Sequence, residues 1–465
     1  MLKKNLNSSL TTRTLVVALG SILTNAIAML TAPVFTRLLS TSDYGVFSVF
    51  MSWVNILAIV LSLQTRGTIN NGKIEFEEKD YEQYCADIYN LSFVVFVAAS
   101  IIFLLFDDKI AGMLKLPVGC VFLLIVNACG SYMLAFITGY LTIEEKVTDS
   151  LKISVVYTVL STVLSIVFIS SGFCTGYNGR IWGYTIPHIL LIVYTFIYFN
   201  RFTKIGYRKN NVKYCLMLSL PLIMHGLSGI VLGQSDRIML LSMQSESIAG
   251  IYSFCYTIAL PVSVVYGALN STWVPNYYLY MAEKKYDKIE KHHNRYMFLV
   301  VGITCGYILI APEMVKLLSV KEYWSGINIM PLVIAAYFFN FLYLFPANYE
   351  FFLKNTKYIA ISSTISAIVN IVLNYLLIPK IGMYGAAIAT IISYIINFET
   401  HDYVARHVLG NYTITRKFYF AGAVPVIVCV IGFYFISDIW LLRWILAAGI
   451  GAILLLKMIR QKALF

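Results

Sequence analysis

Runs of about twenty apolar residues, almost free of charge, recur along the whole of this 465-residue chain. A helix of that length crosses the hydrocarbon of a bilayer. Only a helix or a closed barrel can do so, because lipid offers no partner to backbone N–H and C=O groups. The sequence predicts spans near 14–36, 44–64, 84–106, 117–141, 152–172, 180–200, 214–234, 249–270, 296–312, 327–349, 358–378, 383–400, 417–436 and 439–457. The first is too long for a cleaved signal peptide, and Ala26 to Ala28 lies inside its apolar run. Hydrophobic residues make up 59% of the chain and charged residues 12%, against about 25% charged in an average soluble domain. The expected fold class is therefore an all-α integral membrane protein of about fourteen transmembrane helices.

No polar stretch between spans exceeds about 20 residues, which leaves no room for a soluble catalytic domain. The longest lie around 65–83 and 276–295. The stretch from Trp273 to His293 opens with aromatics and closes with charges, and is expected to continue its helix along the membrane surface. The eight cysteines show no paired metal spacing, and no GxxxxGK[ST] loop for ATP is present.

Lys and Arg are shared unequally between alternate loops. With the N-terminus inside, 26 of the 35 fall on the inner side and 9 on the outer. Cytoplasmic loops carry such an excess, so both termini are expected in the cytoplasm of a cell with its inner membrane crossed many times. The net charge of +12 then needs no nucleic acid. It matches acidic lipid at the inner leaflet.

The chain also repeats itself. Around the first span it reads TNAIAMLTAPVFTRLLSTSDYGVFSVF, and around the seventh IMHGLSGIVLGQSDRIMLLSMQSESIAGIYSF. Asn25 aligns with His225 and Arg37 with Arg237, at an offset of 200. After five extra residues Gly45 aligns with Gly250, and Tyr157, Ser161 and Ser165 align with Ser362, Ser366 and Asn370. Two parallel six-helix lobes are expected, 1–205 and 206–410, with two extra helices in 411–465. Transport folds are often built from repeats.

Polar residues inside spans are the candidate site. Ser362, Ser366, Asn370 and Asn374 recur at steps of four and share a helix face. Such a stripe either lines an aqueous or substrate surface or packs helices together. Asn25, His225 and Asn340 add further polar groups. Arg37 and Arg237 sit at repeat-related outer ends and Arg66 at the inner end of span two. An arginine fork suits phosphate oxygens; snorkelling, or pairing with Asp43 and Asp236, is the plainer reading. Asp236, Glu350 and His188 are candidates for ion coupling, because buried acids and histidines can carry protons. Pro33, Pro187, Pro221, Pro261 and Pro346 allow spans to bend.

From Asn370 the chain reads NIVLNYLLIPKIGMYGAAIATIISY, preceded by APEMVKLLSVKEYWSGINIMPLVIAAYFF from Ala311 and, near the N-terminus, by LTAPVFTRLLSTSDYGVFSVF. The NxxxN…IPxxGxxGAAxAT block is the most specific part. These segments resemble the Wzx-type polysaccharide flippases of the MOP superfamily, relatives of the MATE exporters and the lipid II flippase. The resemblance covers essentially the whole chain. It implies a MATE-like fold, a cationic polar cavity, and no enzymatic activity. The implied substrate is undecaprenyl-pyrophosphate-linked oligosaccharide (O-antigen, capsule or exopolysaccharide), moved from the cytoplasmic to the outer leaflet of the bacterial inner membrane. A proton or sodium gradient would drive it without a cofactor, beside the pathway's polymerase and glycosyltransferases. Rival readings are a MATE-type drug or ion antiporter, disfavoured by the few acids in mid-span, and a membrane-embedded polymerase or ligase, disfavoured by the lack of a large outer loop. A major-facilitator transporter and a non-transporting scaffold fit less well.

Overall fold

A computed structural model describes residues 20, 26–27, 29–201, 208–411 and 413–460. Among the described residues the regular structure is helical, with no strand. Among the described residues, twelve stretches are long and apolar enough to cross a membrane. One of them, Lys357–Val408, has 52 residues, which as a helix would reach about 78 Å, more than twice a bilayer core.

That stretch is a hairpin. Within helix α14 (Thr356–Tyr403) the backbone leaves helical geometry at Ile381 (φ −135°, ψ 17°) and Gly382 (φ 56°, ψ −131°). The two arms then face each other, with Ser366 Oγ 3.3 Å from Asn397 Oδ1 and Asn370 Nδ2 3.4 Å from Thr390 Oγ1. The Pro379–Gly382 turn is what the IPxxG pattern encodes. The next glycine, Gly385, lets the second arm pass the backbone of Leu377, where a Cβ would lie 2.6 Å from its carbonyl carbon. The spans expected at 358–378 and 383–400 are these two arms. The one expected at 14–36 falls largely outside the described residues.

Contacts divide the chain into two compact units: Leu38–Gly250, and the described residues up to Arg37 together with those from Ile251 onward. The boundaries differ from those of the internal repeat, because α9 (Lys209–Met243), which opens the second sequence half, packs on α2 (Thr41–Leu61) in the first unit. Sequence offset and present-day packing are separate properties.

The unit Leu38–Gly250 also holds α3 (Ile69–Glu75), α4 (Glu78–Leu105), α5 (Asp107–Leu114), α6 (Val121–Ile143), α7 (Val147–Ser170) and α8 (Gly176–Asn200). Its core forms where Tyr132, Met133, Phe136 and Tyr140 of α6 meet Tyr81, Tyr84, Ile88 and Tyr89 of α4. Ser40 caps α2, accepting from the Asp43 amide at 3.1 Å, as a helix N-terminus favours. Asp43 Oδ1 also accepts from the Tyr177 amide at 3.1 Å, which ties the starts of α2 and α8 together.

The first turn of α10 (Glu246–Ala282) belongs to this unit and crosses α2 at two glycines. A Cβ on Gly45 would lie 1.9 Å from the Glu246 carbonyl oxygen, and one on Gly250 1.9 Å from that of Thr41. The hydroxyls obey the same exchange: Thr41 bonds Ser247 at 2.7 Å, and Ser42 donates to Glu246. Each contact maps onto its counterpart under the 205-residue offset.

The other unit holds α1 (29–38) up to Arg37, the rest of α10, α11 (Tyr286–Leu318), α12 (Met330–Leu342), α13 (Leu344–Phe352), α14, α15 (Arg416–Ile436) and α16 (Trp440–Arg460). The segment expected along the membrane surface continues α10 unbroken to Ala282. Its Trp273, Tyr277 and Met281 turn inward against Ile289 of α11. The last helix is pinned to α11 by Arg443, whose guanidinium reaches Glu313 at 2.5 and 2.8 Å and the Leu309 carbonyl at 2.7 Å. Gly302 makes room there for Leu454.

Candidate functional site

In the unit Leu38–Gly250 the chain turns sharply after α2. Leu63 and Gln64 both adopt left-handed backbone, φ 54° and 52°, a conformation that costs side-chain-bearing residues of order 1 kcal/mol each. A short 3-10 turn, Thr65–Thr68, follows. Buried hydroxyls lock it. Thr65 bonds Ser92 at 2.8 Å and Tyr132 at 2.5 Å, and Ser92 bonds the Ser62 carbonyl at 2.9 Å. Thr68 bonds the Thr65 carbonyl at 2.8 Å and receives the Tyr84 hydroxyl at 2.6 Å.

This scaffold presents Arg66. Its guanidinium has no hydrogen bond or ion pair with the described residues. The side chain runs over Gly139 of α6, where a Cβ would come within 3.2 Å of Nε. Gly67 lies against Leu222 of α9, and Gly226 against the Gln64 amide. Accessible yet flanked by protein, Arg66 is partly stripped of water, and this desolvation lowers its pKa from the ordinary arginine value. A partly desolvated guanidinium gains when an anion approaches, because the anion restores part of what desolvation removed.

The other expected arginines are held differently. Arg37 is exposed, and Nη1 donates to the Pro33 carbonyl of its own helix at 2.9 Å. Arg237 is half-buried on α9, its amide donating at 2.8 Å to the carboxylate of buried Asp236. Arg237 lies eleven residues beyond Gly226, roughly 16 Å along α9, so Arg66 and Arg237 serve different levels of this unit.

The stripe of Ser362, Ser366, Asn370 and Asn374 is buried against protein, at 0–2% exposure. It faces the second arm of α14. Ser366 donates to the Ser362 carbonyl at 2.9 Å and Asn374 to Asn370 at 2.9 Å. In this conformation the stripe is a polar seam between two helices rather than an open lining. Asn340 donates to the Tyr266 hydroxyl at 3.0 Å. Asn25 lies outside the described residues; His225 falls within α9, and its side chain is likewise outside them.

His188 is 1% exposed. Nδ1 lies 2.9 Å from Asn127 Oδ1, the ring stacks on Tyr157 at 4.8 Å, and Gly130 leaves the space it fills. Those are the contacts of a packing residue. Glu350 meets a partner the sequence reading did not name, His401, at 3.0 Å. Asp87 was also missed. It is buried and accepts from the Arg208 amide (3.1 Å), Asn211 (2.7 Å) and Gln83 (2.8 Å), so it caps the start of α9 from α4. An acid within a tyrosine-rich stretch was the available signal.

A family model described as polysaccharide biosynthesis protein matches residues 10–278. Protein 1 of the Lsg locus of Haemophilus influenzae is 23% identical over 371 residues, covering 75% of this chain and 86% of that protein. Among solved structures, the lipid II flippase MurJ in an inward closed conformation superposes with a TM-score of 0.71 at 15% identity, over 97% of this chain and 99% of its own. An inward-facing multidrug resistance MATE transporter of the MOP superfamily gives 0.67 at 14% identity, over 85% and 99%. The fold is that of these proteins.

Proposed function

We propose that this chain, which belongs to the polysaccharide biosynthesis protein family, is a flippase for lipid-linked oligosaccharide. It moves sugar units joined by pyrophosphate to undecaprenol from the cytoplasmic to the outer leaflet of a bacterial inner membrane. Movement is by alternating access and draws on an ion gradient. The pathway's glycosyltransferases supply the substrate and its polymerase consumes it.

The observation that carries this reading is Arg66: an arginine with no hydrogen bond or ion pair among the described residues, on a locked and strained loop that follows α2. A pyrophosphate is the part of such a substrate that needs a positive partner. The sugar needs a polar path, because each hydroxyl taken unpaired into hydrocarbon costs several kcal/mol. The name of the lipid II flippase, which shares the fold, supports the same substrate class. Arg37 and Arg237 are further proposed contacts along the route.

The test is cellular. Deletion is expected to strand lipid-linked units on the cytoplasmic leaflet. Arg66→Ala, present in the membrane at normal level, is expected to reduce delivery about tenfold or more, the size of one charge-assisted hydrogen bond. Arg66→Lys keeps the charge without the fork and should fall between. Undiminished delivery by Arg66→Ala would remove this arginine from the substrate's path.

A further inference from the structure

The unit that runs from Ile251 onward buries an acid and a base against each other. Glu350 on α13 and His401 near the end of α14 are each 0% exposed, with His401 Nδ1 3.0 Å from Glu350 Oε1. Their far atoms, Glu350 Oε2 and His401 Nε2, have no hydrogen-bond partner among the described residues. A buried pair kept for structure alone normally satisfies its remaining lone pairs and protons. This one leaves an acceptor and a ring nitrogen over.

Among the described residues no third charged side chain forms an ion pair with either of them. The Tyr343 ring, from the joint between α12 and α13, stands 5.6 Å from the His401 ring. Asp402, next along α14, is held by Arg406 at 2.6 Å and Arg416 at 3.7 Å, and Arg416 also reaches Glu399 at 3.1 Å. On α13, Tyr349 donates to the Leu409 carbonyl. From α10, Tyr266 is bonded to Asn340 and Asn270 to Asn348. From α11, Tyr296 donates to the Tyr266 carbonyl and His293 accepts from Trp273. Among the described residues, no other Lys, Arg, Asp or Glu pairs with Glu350 or His401.

The charge states follow. A carboxylate beside a neutral imidazole carries −1. One proton, on the carboxyl or on the ring, makes the pair neutral, and a second makes it +1. A dry interior tolerates the neutral form and penalises both charged ones.

Both supporting elements are irregular beside the pair. Helical hydrogen bonding is interrupted at Tyr343, whose backbone stays helical (φ −67°, ψ −21°), ahead of Pro346, which has no N–H to donate. A π-helical turn, Val404–Val408, follows His401 by three residues. Such turns are frequent at functional sites and change helical register at small cost, which gives the proton's presence a structural element to bias.

We propose that Glu350 and His401 form a proton-binding site whose occupancy couples the substrate cycle to a proton gradient. The coupling clause rests on the transport reading above; proton binding by the pair does not. Full-length protein in nanodiscs, titrated under infrared difference spectroscopy, is expected to show a pH-dependent carboxyl band, protonated or ionised, that vanishes in Glu350→Gln and shifts in His401→Asn. Glu350→Asp keeps the carboxyl but withdraws it from the ring, so its band should persist, shifted; it serves if the glutamine variant misfolds. In proteoliposomes loaded with lipid-linked oligosaccharide, an imposed pH gradient should stimulate transfer by the wild type and lose that stimulation in Glu350→Gln and His401→Asn. A band unchanged in all three variants, or pH-gradient stimulation retained by both neutral variants, overturns the proposal. So does stimulation by a sodium gradient alone at equal pH. A titrating wild-type band with no transfer of oligosaccharide overturns the transport reading and the coupling with it, while leaving the proton site standing.

Discussion

At Gly45 and Gly250 a single hydrogen atom in place of a methyl group decides whether two helices can cross. A Cβ at either would lie 1.9 Å from a carbonyl oxygen of the facing helix, and backbone cannot step aside as a side chain can. Gly45→Ala and Gly250→Ala are each expected to destabilise by about 1–3 kcal/mol or more, the cost of overpacking. Because the contact is reciprocal, the two costs should be similar. Thermal melts of the detergent-solubilised protein check this, with Gly449→Ala as the control, since nothing lies within 4 Å of a Cβ there. Both glycines stood out in the sequence as repeat partners, but not their mutual contact. Arg66 was likewise legible as an arginine ending a span. The left-handed pair Leu63–Gln64 that aims it was not, because neither residue is one that favours such backbone.

At the scale of elements, the two arms of the α14 hairpin are the spans expected from apolar runs at 358–378 and 383–400. Pro379 and Gly382 mark the turn, and Gly382 alone has φ 56° with ψ −131°, a region open essentially to glycine. Gly382→Ala is expected to cost about 1–3 kcal/mol and to lower the melting midpoint, even though the turn joins helices otherwise unchanged. An unaltered midpoint would mean the turn relaxes into another conformation. The polar stripe on the first arm shows the limit of such reading. A face of Ser and Asn at steps of four is the same pattern whether it meets water or a second helix. Its partners Thr390 and Asn397 sit on the returning arm, 20 and 31 residues away.

At the scale of the whole molecule, the charge count remains the argument for orientation: 26 of 35 basic residues in alternate loops. A green fluorescent protein fused after Phe465 is expected to fluoresce inside the cell, and a cysteine introduced in the Gln244–Ser245 turn to react with an impermeant thiol reagent added outside. The opposite pattern would reverse the assignment. What the sequence by itself determined is what local composition encodes. Helix spans follow from runs of apolar residues, and the repeat from a constant offset. Tertiary structure alone decided which polar groups meet. His401 joins Glu350 across 51 residues, Asn127 joins His188 across 61, and Asp87 reaches Arg208 across 121. In an interior without water every buried polar group is driven to find a partner, but periodicity states only that a group is buried, and packing selects the partner.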